Sequence, residues 1–433
     1  MEGSVLTPWG RSDRLKERRL KPGPGNLRAD VERNQRERLY GALVAVVDEK
    51  GLEHTSVADV AARAGVSRSV VYEYFDGRPG LFQATFEALV AAGLGAVESS
   101  YRQADEDWES QLRAALSAMF ETVTAQPAAA RLCFLEAYAA GPAVEPIRDA
   151  AGATAAALVR AAFDCSAPRR GMPEDVVEGI VGGIRTITQT RLRRHTEREL
   201  PDLVDELTRW MAAYERPVPP LTPAETEERR GAGFVAATHP ERIYVAMAKA
   251  IAAKGYAHTS VADIVTTASV SLSTFYEHFD GKEQAFLAAC DFGIEQAFAS
   301  VRQSWERAAP DGWPAQVHAG MRELLSFLAA EPEWSFMAMV EIFAAGSRAR
   351  ARRDRTIELF TSMVEPGRAV NPAIGPVTVE VLGGAVYSLM YRQIRLHGAA
   401  RLGEILPATV FVLLAPFVGS RLAAQGALAP LGA

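Results

Sequence analysis

The chain of 433 residues carries 47 basic and 53 acidic residues, a formal net charge of −6, and is 48% hydrophobic and 23% charged. Its length exceeds one compact core, and its composition is that of a folded globular chain. This excludes a disordered polymer and a uniformly basic nucleic-acid coat, but leaves room for a local basic patch.

In chain order, residues 1–33 read as a flexible basic arm. MEGSVLTPWG has no basic stretch leading into an apolar one, so no signal peptide is expected and the cytoplasm is the expected location. Arg11, Arg14, Lys16, Arg18, Arg19, Lys21 and Arg28 supply the charge, and the breaker KPGPG at Lys21–Gly25 predicts no stable element there. Leu39, Leu43, Val46 and Val47 then fall on one face of a helix. Ser56-Val-Ala-Asp59 has the form of a capped helix start. Gly65 breaks that short helix, Ser67 begins another that reaches Phe75, and Asp76-Gly77 ends it. A short helix, a tight turn and a second short helix form the helix-turn-helix pattern. Nearly every later long segment has helical periodicity and no alternating β run is visible, so the expected fold class is all-α. The longest apolar run, Ile405–Val418, is interrupted by Pro407 and Pro416 and is too short to span a bilayer, so no membrane partner is expected.

The chain is written twice. At an offset of 204 residues, HTSVADVAARAGVSRSVVYEYFDG (His54–Gly77) lies over HTSVADIVTTASVSLSTFYEHFDG (His258–Gly281) without a gap. Glu37–Phe82 and Glu241–Phe286 share 22 of 46 positions, where chance gives about three or four. The match continues faintly, with PAAARLCFLEAYAAG over PEWSFMAMVEIFAAG and Gly182-Gly183 over Gly383-Gly384. The predicted organisation is an arm (1–33), a first head (34–86), a first body (87–214), a Pro- and Gly-rich linker (215–238), a second head (239–288), a second body (289–422) and a tail (423–433).

The second short helix of each head opens with small polar residues that would let it enter a major groove, and Tyr72 and Tyr74 follow at spacings that reach phosphates. Thr55 and Arg78 bracket the motif as a possible backbone clamp. The matching positions of the second copy are Thr259, Ser271, Leu272, Ser273, Thr274, Tyr276, His278 and Lys282. Both units resemble the TetR-type transcriptional regulator family: TSVADVAARAGVS in the first copy matches the earlier half of the family pattern, and VSLSTFYEHFDGKEQAF in the second matches the later half. The resemblance implies a three-helix DNA-binding head on each unit, followed by a helical body that senses a ligand and dimerises. DNA-contact candidates are therefore Thr55, Ser67, Arg68, Ser69, Tyr72, Tyr74 and Arg78, with Thr259, Ser271, Ser273, Thr274, Tyr276, His278 and Lys282. Tyr72 and Tyr276 have a second reading as buried residues. The expected partners are double-stranded DNA and a small-molecule effector, and the expected role is that of a repressor.

The copies depart from the family pattern differently. Copy one has Val70-Val71 and Arg78-Pro79-Gly80 where a Thr-aromatic pair and Lys-Glu are favoured, and copy two has Ser269 at the turn glycine. A non-glycine there costs on the order of 1 kcal/mol, which predicts a less stable second turn. Residues 11–86 hold 14 basic and 11 acidic residues, and 222–286 hold 6 and 8. Head one is thus expected to supply most of the DNA affinity.

Ligand candidates in the bodies are Phe134, Tyr138 and Phe163, and Trp334, Met337, Phe343, Tyr387 and Tyr391, each of which has packing as its plainer reading. Glu136 and Glu341 occupy matched apolar stretches, where each is expected to pair with an arginine such as Arg131 or Arg148, or to face a wet pocket. Met172–Tyr214 is expected to pack against Gly375–Leu422, giving an intramolecular pseudo-dimer, with a homodimer of four heads as the alternative. Cys133, Cys165 and Cys290 have no C-x-x-C spacing, and the seven histidines form no metal-ligand pair. With no nucleotide or hydrolase motif either, no enzyme activity, cofactor or metal is expected.

Overall fold

A computed structural model describes residues 4–20, 27–223, 234 and 236–428. Among the described residues the protein is all-α except for one short hairpin, β1 (Leu6–Thr7) and β2 (Gly10–Arg11), paired antiparallel with Leu6 opposite Arg11. The first repeat comprises α1 (Arg28–Lys50), α2 (Val57–Ala64), α3 (Arg68–Tyr74), α4 (Gly77–Gln103), α5 (Trp108–Ala125), α6 (Pro127–Phe134), α7 (Glu145–Asp164), α8 (Glu174–Arg193) and α9 (Val204–Ala212). The second comprises α10 (His239–Lys254), α11 (Val261–Ala268), α12 (Leu272–His278), α13 (Lys282–Arg307), α14 (Trp313–Ala330), α15 (Pro332–Met339), α16 (Ser347–Val364), α17 (Pro376–His397), α18 (Leu406–Val418) and α19 (Ser420–Leu428).

Two compact units divide the chain, and their border does not follow the repeat. One unit holds residues 1–158 and 188–204; the other holds 159–187 and 205–433. The second unit therefore takes α9 and most of α8 from the first repeat into its own core. The reason lies in the glycines. A Cβ on Gly182 would stand 2.3 Å from the Ser388 Cβ, and one on Gly384 would stand 2.5 Å from the Thr186 Cβ. Side chains there would hold α8 and α17 apart, so the glycines accept their helix-propensity cost for close approach. A buried polar chain seals the seam: Trp210 Nε1 donates to Tyr214 Oη (2.9 Å), which donates to the Val412 carbonyl (2.9 Å). Burial pushes the Tyr214 phenol well up, so it stays a neutral donor. Glu206 Oε1 accepts from Thr378 N (2.9 Å), and Arg392 pairs with Glu174 (3.1 Å). The expected intramolecular packing of the two carboxy-terminal helix pairs is present in this unit.

The first unit is built on Leu39, Leu43, Val47, Val60, Val71, Phe82, Phe86 and Leu132, all buried. Leu15 joins them with no exposed surface. Here the sequence expectation is corrected. Residues 4–20 are not a free arm but a hairpin followed by a run of turns over 12–18, closed by the Ser12 N to Val5 O bond (2.9 Å) and seated on α1 through Leu15 and Trp9. The β signal is too short to show as alternation. Lys21 lies outside the described residues, as do 224–233 and 235 of the predicted linker. The predicted tail is also corrected. Its residues up to Leu428 are helical, and Ala423, Ala424 and Ala427 are buried. An alanine-rich stretch offers little apolar contrast, but its small side chains suit a tight helix contact. By length and composition, Gly77–Gln103 and Ala399–Val418 could each cross a membrane, and the latter stretch is mostly buried in the protein core.

Candidate nucleic-acid interface

Each head is a three-helix lobe whose turn is fixed by the same devices. Ser56 Oγ accepts from Asp59 N (3.2 Å) while Asp59 accepts from Ser56 N (2.9 Å), and Ser260 and Asp263 repeat both distances. These reciprocal caps start α2 and α11. Lys50 and Lys254 bind the two aspartates and, with the serine donors, hold both carboxyls below the usual carboxylate range. At the other end, Arg38 Nη2 donates to the carbonyls of Ala64 (2.8 Å) and Gly65 (3.0 Å). Its counterpart Arg242 donates to Ala268 (2.7 Å) and Ser269 (2.9 Å). The turn residues Gly65 (φ +67°) and Ser269 (φ +52°) are both left-handed, so the second head carries a serine where the backbone favours glycine.

Beyond the turns, α3 and α12 bury one side and expose the other. Val71 and Phe275 anchor them in the cores. Ser67, Arg68 and Ser69 are exposed, as are Ser271, Leu272 and Ser273. Tyr72 is 64% exposed and Tyr276 55%, which removes the reading of either as a core residue. The seryl pairs bond one another, Ser67 to Ser69 and Ser271 to Ser273 (2.7 Å each). Ser271 also caps Thr274 N (3.0 Å), a bond Ser67 lacks. His278 is exposed and Thr274 half-buried.

Other candidates turn inward. Thr55 and Thr259 are each 2% exposed, and their hydroxyls donate to Gly51 O and Gly255 O (2.8 Å). Neither hydroxyl is free to clamp a phosphate, which corrects that assignment. The flanking cations hold the same loops. Arg78 donates to the Leu52 and Thr55 carbonyls (3.0 and 2.9 Å), and Lys282 to those of Tyr256 and Thr259 (2.8 and 2.9 Å). Lys282 also lies 4.1 Å from the Tyr256 ring centre, and burial lowers its pKa. Both therefore position the head. Tyr74 donates to Gln35 (2.5 Å) with Arg36 over its ring, which draws it toward α1.

The bodies tie to the heads at matched points. Glu341 Oε2 accepts from Tyr256 N (2.7 Å), and Glu136 Oε2 accepts from Leu52 N more loosely (3.4 Å). Arg131 turns to Asp48 (2.6 Å) and Glu197 (3.3 Å) rather than to Glu136, and Arg148 lies over the Tyr138 ring. Trp334 fits over Gly293 and donates to Ala289 O (2.9 Å). Tyr387 donates to Met339 O (3.1 Å) beneath Arg353. Phe163 and Met337 are wholly buried, Phe343 stacks edge-on with Tyr391, and Phe134 is half-buried. An apolar cavity in the second body is lined by Trp305, Val317, Met321, Phe360, Met363 and Leu413, and by none of the predicted ligand residues. Its lining carries no polar spacing signal that sequence reasoning could have caught.

Residues 40–85 and 243–289 both match the model of the bacterial regulatory proteins, tetR family. Both heads belong to the tetR family. The first curated relatives are HTH-type transcriptional regulators named BetI. That of Ectopseudomonas mendocina is 35% identical over 88 residues, and that of Paraburkholderia xenovorans 34% over 87 residues. Each match covers 20% of this chain, and the chain spans about half the length of these relatives, 45% in both cases. Among solved structures, the chain is similar to the fatty acid degradation regulator FadR from Bacillus halodurans, at 17% identity and a TM-score of 0.38, covering 40% of this chain and 96% of that one. The tandem tetR-type heads agree with the repeat read in the sequence.

Proposed function

We propose that the protein is a DNA-binding transcriptional regulator, a one-chain pseudo-dimer whose two heads read the unlike halves of an imperfect palindrome. The observation that carries this reading is the pair of matched recognition helices, each presenting small polar residues and a tyrosine outward from a buried anchor. An exposed face of this kind has no packing role, and it suits the edge of a major groove. Arg68 is the base- or phosphate-reading group of head one. Leu272 at the matched place gives head two an apolar contact instead, so the two half-sites differ in sequence. The interlocked carboxy-terminal helices do within one chain what a dimer interface does between two.

An effector bound in the second body is the release signal in this reading. Binding there would bias the tie between Glu341 and the loop of head two, and so the posture of that head. Repression is then the default output, and the cytoplasm, where the DNA lies, is the place of action. Selection of binding sites from a random duplex library with the full chain tests the reading. The expected product is a two-part site with dissimilar halves about one helical turn apart. Recovery of no enriched duplex would instead favour a helical small-molecule-binding protein that no longer reads DNA.

A further inference from the structure

We propose that the amino-terminal hairpin is a fixed wing of head one that binds the DNA phosphate backbone beside that head's half-site. The inference rests on the DNA-binding reading above and adds a contact surface that, among the described residues, only head one carries. Its first support is placement. Gly65 forms the left-handed turn between α2 and α3, and the exposed face of α3 begins two residues later. The stem of Lys16 lies on that glycine, so close that a Cβ there would meet the Lys16 Cγ at 2.8 Å. The hairpin is thus seated on the helix-turn-helix itself.

Its second support is how firmly the hairpin is held. Leu15 is wholly buried and packs over Gly41. Trp9 packs at a tilt against Tyr40 (ring centres 5.1 Å apart), which in turn meets Phe75 at the end of α3 (5.9 Å). Asn34 fixes the exit of the segment, accepting from Leu20 N (3.2 Å) and donating to Arg18 O (3.0 Å). Arg38 is only 2% exposed, whereas its counterpart Arg242, with no hairpin over it among the described residues, is half-buried.

Charge identifies the partner. Residues 4–20 hold five basic and two acidic side chains. Arg11 is engaged with Asp13, but Arg14, Lys16, Arg18 and Arg19 are exposed and make no ion pair among the described residues. Four unpaired cations on a rigid platform next to a recognition helix match the phosphates that flank a bound major groove. The two turns also differ in step with this. Head one keeps glycine where Lys16 leaves no room for a side chain, and head two has Ser269 at the same left-handed position. The unequal charge of the heads is therefore a localised surface rather than a diffuse excess.

The test compares the full-length wild type with Arg14→Ser/Lys16→Ser/Arg18→Ser/Arg19→Ser on the duplex recovered by site selection. Two readouts serve: the slope of log K against log salt, and hydroxyl-radical protection. The slope should shrink by about 0.9 for each cation that meets a phosphate. Protection should disappear from the flank of one half-site only. Leu15→Ser, which unseats the hairpin but keeps its charges, should lose the same protection, and an unchanged melting curve for the serine variant certifies folding. An unchanged slope and footprint, or tighter binding by the serine variant as expected of a mask, would overturn the wing while leaving DNA binding intact. A wild type that binds no duplex would overturn the function itself.

Discussion

The two heads share caps, anchors and a guanidinium-bound turn, yet they are differently finished. Head one has a hairpin over its turn, a glycine beneath the hairpin and an arginine leading its recognition helix. Head two has a strained serine at its turn, a leucine at the matched place and a tighter tie to its body. The copies thus keep the caps, the buried anchors and the outward serines and tyrosine of α3 and α12, and differ at the turn residue and at the first position of those helices, Arg68 against Leu272.

The comparison can be broken in several places. The largest expected effect is acid lability peculiar to the second unit. His318 is buried there, and burial, with Arg322 nearby, lowers its pKa to about 4. As pH falls below the ordinary histidine value the unfolded chain takes up the proton first. Stability is therefore full above about pH 6.5 and is lost as pH falls towards 4, by up to about 3 kcal/mol. Melting curves across that window should show the loss, and His318→Leu should flatten it.

Next comes recognition. Arg68→Ala should weaken binding by about 1–3 kcal/mol, with relaxed selectivity in one half-site if the residue reads a base and a uniform loss if it holds a phosphate. Leu272→Ala should change affinity much less. Titration against half-site variants separates these outcomes. The head–body ties should also rank. Glu341→Ala should cost about 1.5–3 kcal/mol of stability, because it removes a short charge-assisted bond, and Glu136→Ala should cost less. Denaturant titration of the two variants measures the order.

The smallest effects concern the turns. Gly65→Ala should destabilise by about 1–2 kcal/mol, since it adds a left-handed strain and pushes against Lys16. Ser269→Gly should stabilise by about 1 kcal/mol. Equal responses to the two substitutions in a melting experiment would erase the claimed difference between the turns.

Much of this was legible in the sequence because it depends on local spacing. Ser56 and Asp59 announce a cap by their separation, Gly65 announces a turn, and the repeat exposes both heads at once. The paired glycines Gly182 and Gly384 signalled a close helix contact, although not their neighbours Ser388 and Thr186. What escaped depends on distant partners. Thr55 looks like a phosphate ligand until Gly51 takes its hydroxyl, and Arg78 looks free until two loop carbonyls claim it. The hairpin was hidden because two-residue strands carry no period, and Leu15 was one apolar residue among charges. The body cavity was missed for a related reason: its lining comes from five helices, and no single stretch of sequence marks it.

The central claim is that one chain supplies both heads of a functional pair. Its most direct test is the mass of the complex with the selected duplex, measured by light scattering after size separation. The account predicts a single 46.8 kDa chain on each duplex, protecting both half-sites. Two chains on every duplex, each engaging only one half, would contradict it.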